Sequence, residues 1–536
     1  VSPEVFESTM TRRGLLTGLG LGGLGAALLG TTGLGTLAWS QEPEAVPAAF
    51  TYEALCERMR LMAQAPAQPL ATVLPAVYAD LDYDRYRLIQ FRDTATRWAG
   101  NGLSYGVQAF HLGGLYTQPV KVFEVVGGAA APFDFSSADF NYLSPQLAAA
   151  AAATAFPGVA GIRLSSMLND TNSFSELITF LGASYYRALG RDNFYGASAR
   201  GLAINSWRTE PEEFPRFSEF YLERPTGDGP LVIHAALDSA SVTGAYRFEI
   251  LPAGASAQST VIDVTARLYF RRDVAEFGVA PLTSMFLYAE NNRPGFDDYR
   301  PQVHDSDGLL IERASGEVLW RPLSNTAWLG NSYFAERGLR AFGLYQRDRD
   351  FAAYEDPGAH YERRPSVRIE AVGDWGDGAV RLIEIPSRSE VEDNVVAFFI
   401  PAAPARAGEA REYRYRQHWG DIAPSPDAAL AHVAATRVGM GGVSGGTGKT
   451  SLRKFVIDFA GGELASLDPG LPLDILANVS AGVVRVATAQ HVAASNVRRL
   501  VLDVELEGDG PVELKAYLLG LGRKLTETWV YQWRAA

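Results

Sequence analysis

Between about Tyr86 and Tyr415 the chain is written in short alternating runs: YRLIQFR, VKVFEVV, LVIHAAL, YRFEILP, TVIDVTARLYF, LLIERA, EVLWRP, AFGLYQR, SVRIEAV, AVRLIEIP and NVVAFFIP. A period of two sends successive side chains to opposite faces, so each run predicts a strand with one face on a core. Turn signals such as Ser315-Gly316 and Asp374-Trp375-Gly376-Asp377-Gly378 separate the runs. The pattern is that of a large antiparallel sandwich. Helical periodicity is sparse. It covers YEALCERMRLMAQ, SPQLAAAAAATAF and SELITFLGASYYRAL, and the GASYYR half of the last fits a strand equally well.

The stretch GDIAPSPDAALAH, Gly420 to His432, interrupts this rhythm and reads as a linker. Beyond it RKFVIDFAG, LPLDILANVS, GVVRVATAQHV, RRLVLDVELEG, PVELKAYLLG and ETWVYQW follow within about a hundred residues, the strand spacing of an immunoglobulin-like sandwich without its disulfide. The expected organisation is therefore all-β, with a large sandwich over residues 42–422 and a smaller one over 430–536. Residues 1–41 precede them. There Thr11, Arg12 and Arg13 lead into a long glycine-rich apolar run ending near Ala38 and Ser40, which predicts a twin-arginine export signal cut from the mature protein.

Composition narrows the function. Apolar residues make up 47% and aromatics 11%, enough for a sizeable core, and the net charge of −13 with no basic block argues against nucleic acid and anionic membranes. No stable membrane anchor is expected after signal cleavage. A single cysteine, Cys56, excludes an internal disulfide and falls on the buried side of the first predicted helix. The histidines His111, His234, His304, His360, His418, His432 and His491 lack metal-ligand spacing, so neither metal nor other cofactor is expected. GGVSGGTGKTS, Gly441 to Ser451, imitates a phosphate loop but fails its spacing: Val443 stands where the opening glycine is needed, and the following run alternates like a strand. A G-x-S-x-G nucleophile elbow is also missing.

Carboxylates remain. Asp305 and Asp307 lie in YRPQVHDSDG, and Glu390, Glu392 and Asp393 lie in SRSEVEDNVVAFF. Separated carboxylates on a β scaffold suit glycosidic chemistry, in which one group protonates the leaving oxygen while another activates water. Crowding of the second trio beside an apolar strand favours holding a proton there, whereas Asp305, between His304 and Ser306, reads as an ionised carboxylate in a polar turn. Asp307 reads as a turn residue.

GASYYRALG, YGASARGLAI, EEFPRFSEFYLERP, TGAYRF, GVAPLTSMFLY, NNRPGFDDYRPQVHDSDGL, LWRPL, QRDRDF, YERRPS, RLIEIP and EDNVVAFF occur in that order. Together they resemble the periplasmic proteins G and D of osmoregulated glucan biosynthesis, from about Tyr52 to the terminal TETWVYQW. The export signal fits the D type. The resemblance implies a galactose-mutarotase-like β-sandwich followed by an immunoglobulin-like domain, a periplasmic location, and action on linear β-1,2-glucan as an anomer-inverting endo-β-1,2-glucanase. Carried over by motif, the general acid falls on Asp393 in EDN and the base on Asp305 in HDSDG, with Tyr361 in HYERRP and Glu390 around the acid and the substrate. The chain has HDSDG where relatives commonly have HDSNG, and HYERRPS where they have RYDLRPS. Two other activities stay open: a transglycosylase making a cyclic product, and a non-catalytic glucan-binding protein that guides backbone assembly. A homodimer or glucan-assembly partners are compatible with each.

Overall fold

A computed structural model describes residues 48–534 except 69–73, 100–101, 171, 228, 255–256, 294, 443–451 and 509. The export segment and most of the phosphate-loop imitation lie outside the described residues. The chain is an all-β sandwich built mainly from antiparallel strands.

Thr260–Phe270 shows how the sequence makes the first layer. Its residues alternate without a break between buried and half-buried, sending Ile262, Val264, Ala266, Leu268 and Phe270 inward. Val242–Leu251 and Ala410–Gly420 flank it in antiparallel register. Onward from Ala410–Gly420 the same sheet continues through Ser366–Val372, Ala341–Tyr345, Gly308–Glu312 and Val318–Pro322. The second layer orders Gly330–Arg337, Asp377–Glu384, Val395–Pro401, Phe277–Ser284, Ser198–Arg200, Tyr185–Ala188, Ser173–Leu181, Val159–Asp170 and Tyr105–His111. Ile162, Phe180, Tyr186, Leu282, Ala397 and Phe399 of this layer share one core with Phe248, Ile262 and Leu268 of the first. Alternation therefore turns Tyr185, Arg187, Arg200, Thr283, Arg381, Val396 and Phe398 to the outer face.

The helical reading of SELITFLGASYYRAL is overturned. Ser173–Leu181 and Tyr185–Ala188 are strands joined at Gly182 and Ala183, both at positive φ (77° and 42°), because Phe180 and Tyr186 meet the core with strand spacing. The first helix does form, as Tyr52–Met62. Thr51 caps it by accepting from the Ala54 amide at 3.0 Å, and it buries Leu55, Cys56 and Met59 against Tyr221, Ala236 and Ala245.

The C-terminal strands do not stand apart. Thr528–Trp533 pairs in parallel with Val318–Pro322, so Val512–Gly520 and Asp474–Val479 extend the large sheet. A four-stranded sheet of His432–Met440, Leu452–Ala460, Val497–Leu506 and Gly482–Val492 packs over that extension. Its core of Phe455, Ile457, Leu500, Leu502 and Trp529 also takes in Leu310, Val318, Trp320 and Tyr345. The Gly420–His432 stretch is pinned as it passes: Ile422 and Leu430 pack on this core, and Arg347 donates to the Pro424 carbonyl. It is not a loose tether.

Candidate active site

Both carboxylates singled out from the sequence come to the same end of the strand Phe277–Ser284. Opposite Ser284 stands Val395, two residues beyond Asp393, while the Asp305 amide donates to the Met285 carbonyl at 2.8 Å. Two further contacts lock the join. Asn394 exchanges hydrogen bonds with both backbone groups of Phe286, at 2.8 and 2.9 Å, and Ser284 and Ser306 share a hydroxyl contact of 2.8 Å. Each carboxylate faces an arginine. Arg187 reaches Asp393 at 3.5 Å and Arg364 reaches Asp305 at 3.6 Å.

Tyr361 and Glu390 complete the group. The Tyr361 hydroxyl donates to Glu390 Oε2 at 3.1 Å, and Arg300 donates to the same oxygen at 2.8 Å while also binding Asp298 and Asp356. Tyr361 is fixed from behind by Gln346, whose amide donates to the carbonyls of His304 and Tyr361, both at 3.0 Å. The Arg364 guanidinium lies 5.4 Å from the Tyr361 ring centroid. Contacts thus join Asp305, Arg364, Tyr361, Glu390 and Arg300, and the Arg187–Asp393 pair stands at the same strand end.

Two sequence expectations need correction. Asp305 does lie in the bend between Val303–His304 and Gly308–Glu312, but it is fully buried there, with the Met285 carbonyl and the Arg364 guanidinium beside it. The acidic trio does not crowd: Glu390 turns to Arg300 and Tyr361, Glu392 accepts from Ser387 at 2.7 Å, and Asp393 turns to Arg187. Asp307 is also more than a turn residue. Its carboxylate accepts from the amides of Arg347 and Asp348 at 2.8 and 3.1 Å, and burial pushes its pKa up to about 7, with Asp348 adding to the rise and Arg347 opposing it. It lines a small cavity of about 30 Å³ with Glu290, Gln302, Asp348, Trp320 and Thr436, where the large sheet meets the C-terminal strands.

Arg187 and Arg364 escaped the sequence reading as site residues, although both sit inside the motifs GASYYRALG and YERRPS. Spacing alone cannot pair Arg187 with a carboxylate 206 positions away, nor Arg364 with Asp305 in a different segment. A glycine gives a usable signal. A Cβ on Gly196 would approach Arg364 Cβ to 3.0 Å, so this position in YGASAR stays bare to let Arg364 reach Asp305. Among the described residues no group of three or more His, Cys, Asp or Glu is placed to hold a metal ion.

Fold and site together define a β-sandwich protein whose second sheet carries a cluster of carboxylates and arginines at one strand end. A family model described as "Periplasmic glucan biosynthesis protein, MdoG" matches residues 50–533, and the chain belongs to that family. Among its relatives, "Glucans biosynthesis protein G" of Cereibacter sphaeroides is 49% identical over 496 residues, covering 92% of this chain and 91% of the relative. "Glucans biosynthesis protein D 1" of Ralstonia nicotianae is 42% identical, covering 89% and 90%. "Glucans biosynthesis protein D" of Xanthomonas oryzae pv. oryzae is 38% identical, covering 95% and 96%. Relatives bear both the G and the D name, so similarity does not divide the two types for this chain. Among solved structures, a polysaccharide lyase, BACCELL_00875, aligns over 70% of this chain and 44% of its own at 11% identity and a TM-score of 0.25, too slight a likeness to bear on fold or function.

Proposed function

We propose that this protein serves periplasmic glucan biosynthesis as an endo-acting hydrolase of linear β-1,2-glucan that inverts the anomeric centre. Membership of the family supports the glucan role and the periplasmic location. Among the described residues no helix is long and apolar enough to cross a membrane. The observation that carries the enzymatic reading is the meeting of Asp393 and Asp305 at one strand end, each facing an arginine, with Tyr361 and Glu390 beside them.

In this reading Asp393 delivers a proton to the leaving glycosidic oxygen, and Asp305 draws a proton from the attacking water as the bond to the anomeric carbon forms. Arg364 balances the charge of the base. The Tyr361 hydroxyl, bonded to Glu390, orients a sugar hydroxyl or relays a proton from the water when Asp305 is not in direct reach of it. No cofactor enters the scheme.

The test is incubation of the protein with linear β-1,2-glucan, followed by analysis of product length and of the anomer released first. Linear products of inverted configuration are the expected result. A cyclic product would make the protein a transglycosylase, and binding without turnover would make it a guide for backbone assembly.

A further inference from the structure

At the other end of the strand Phe277–Ser284 an exposed tryptophan is held in an unfavourable backbone conformation. Trp207 has φ +51° with 47% of its surface exposed, and Asn205, two residues earlier, has φ +52°. A bulky residue in the left-handed region is unfavourable and persists only where its surroundings enforce it. Here they do. Arg381, itself buried, donates to the carbonyls of Ser206 and Trp207 at 2.7 and 3.3 Å, and is fixed in turn by Glu276 at 2.6 Å. Ser206 donates to Glu212 at 2.8 Å. The backbone is clamped from below and the ring is left in water.

Two more exposed rings border the same place. Tyr333, 52% exposed, lies 5.2 Å from the Arg381 guanidinium, and Phe214, 44% exposed, lies 5.8 Å from Arg200. Scattered exposed aromatics are ordinary, but three that converge on one clamped loop mark a binding surface. A chain of buried and half-buried side chains links this surface to the carboxylate cluster along the outer face of the second sheet. Arg200 pairs with Glu212 at 3.4 Å and lies 4.5 Å from the Tyr185 ring; Tyr185 is within electrostatic reach of Asp393, which Arg187 contacts. Val396 and Phe398 lie on the same face between the two ends, buried with Ile383 in a small apolar cluster.

We propose that Trp207, Phe214 and Tyr333 form an outlying shelf for glucose residues, holding the glucan chain at a distance from the scissile bond on the Asp393 side. The inference rests on the glucan reading above and adds a cause for preferring long chains. Aromatic faces match the apolar faces of pyranose rings, and the neighbouring Arg200, Glu212 and Arg208 offer partners for hydroxyls. The strained Trp207 backbone then reflects a ring placed for a ligand rather than for the core.

The experiment compares Trp207→Ala, Trp207→Phe and Tyr333→Ala with the unmutated protein on long linear β-1,2-glucan and on the shortest β-1,2-gluco-oligosaccharide it cleaves. Removal of one stacking ring should lower kcat/KM on the polymer by about three- to tenfold more than on the short substrate. Trp207→Phe should restore most of that difference. An equal loss on both substrates, or none on the polymer, overturns the shelf. Tyr333 lies on a solvent-facing strand position, so its variant decides the matter if Trp207→Ala does not fold. If the unmutated protein binds the polymer without cleaving it, the same variants are compared by calorimetric titration: weaker polymer binding upholds the shelf while the hydrolase reading fails. If the protein neither binds nor cleaves the glucan, both fall.

Discussion

At the scale of single residues the carboxylates separate by what surrounds them. Asp393→Asn keeps the side chain's shape but cannot deliver a proton, and general acid catalysis contributes on the order of 10²- to 10⁴-fold, or roughly 3–5 kcal/mol of barrier. Turnover of β-1,2-glucan should fall by that factor while binding persists. Asp305→Asn should behave alike, since an amide cannot take the proton from water. Asp307→Asn should cost less than about tenfold, because its carboxylate contacts the Arg347 and Asp348 amides instead of the cluster. Equal losses in all three would remove the distinction. Asp307 has a different signature. Its folded pKa of about 7 lies above the ordinary 3.8, so between these values the folded state binds more protons than the unfolded chain. Its contribution to stability is fully present below about pH 4 and is lost as pH rises through 7. Asp307→Asn removes that loss, so thermal unfolding should show the variant gaining on the parent at pH 8 but not at pH 4. A gap independent of pH would contradict the assignment.

At the scale of elements, bare glycines are what let strands and side chains meet. A Cβ on Gly308, the last residue of HDSDG, would fall inside the Trp320 ring that lies over it from the neighbouring strand. Gly308→Ala should therefore destabilise the protein by about 1–3 kcal/mol or more, read as a lowered denaturation midpoint with unchanged slope. Gly196→Ala acts instead through Arg364. It should lower kcat several-fold while shifting the thermal midpoint little, and a fall in stability with turnover intact would show that Arg364 does not serve the base. Much of this level was legible in advance. Thr260–Phe270 carries its alternation openly, because one face meets a core and the other does not, whereas Gly308–Glu312 and Val318–Pro322 are buried on both faces, Leu309, Ile311 and Leu319 toward the large core and Leu310, Val318 and Trp320 toward the C-terminal one. The segment SELITFLGASYYRAL was not legible, since its apolar residues fit both periods and only a partner sheet chooses between them. The site was legible in part: Asp305 and Asp393 stand out by motif, whereas Arg187 and Arg364 acquire meaning only when Tyr185–Ala188 and the Tyr361–Arg363 turn are folded beside them. Burial of Asp305 was hidden for the same reason, as its lid is made of segments distant in sequence.

At the scale of the molecule, the C-terminal strands and the large sheet are welded by a buried ion pair. Arg347 and Glu527 meet at 2.7 and 3.0 Å with side chains 4% and 0% exposed, and Glu527 also accepts from the Val433 amide at 3.0 Å. The Arg347 guanidinium covers Trp320 at 3.5 Å and donates to the Val433 and Pro424 carbonyls, so one side chain ties the C-terminal core to the connecting stretch. Removing one partner of such a pair strands the other charge in a medium that cannot solvate it, at a cost of roughly 3–5 kcal/mol. Trp320 belongs to the C-terminal core while its strand belongs to the large sheet, and Leu319 and Trp320 pair directly with Thr528 and Trp529. Neither half can unfold without exposing the other's apolar surface. Scanning calorimetry should accordingly give one transition for the described chain. Glu527→Ala should move that transition down as a whole, and Glu527→Gln, which keeps two hydrogen-bond acceptor directions but not the charge, should move it less. Two separate transitions in the unmutated protein, with only the one belonging to the C-terminal strands shifting in the variant, would show that the continuous sheet does not couple the two cores.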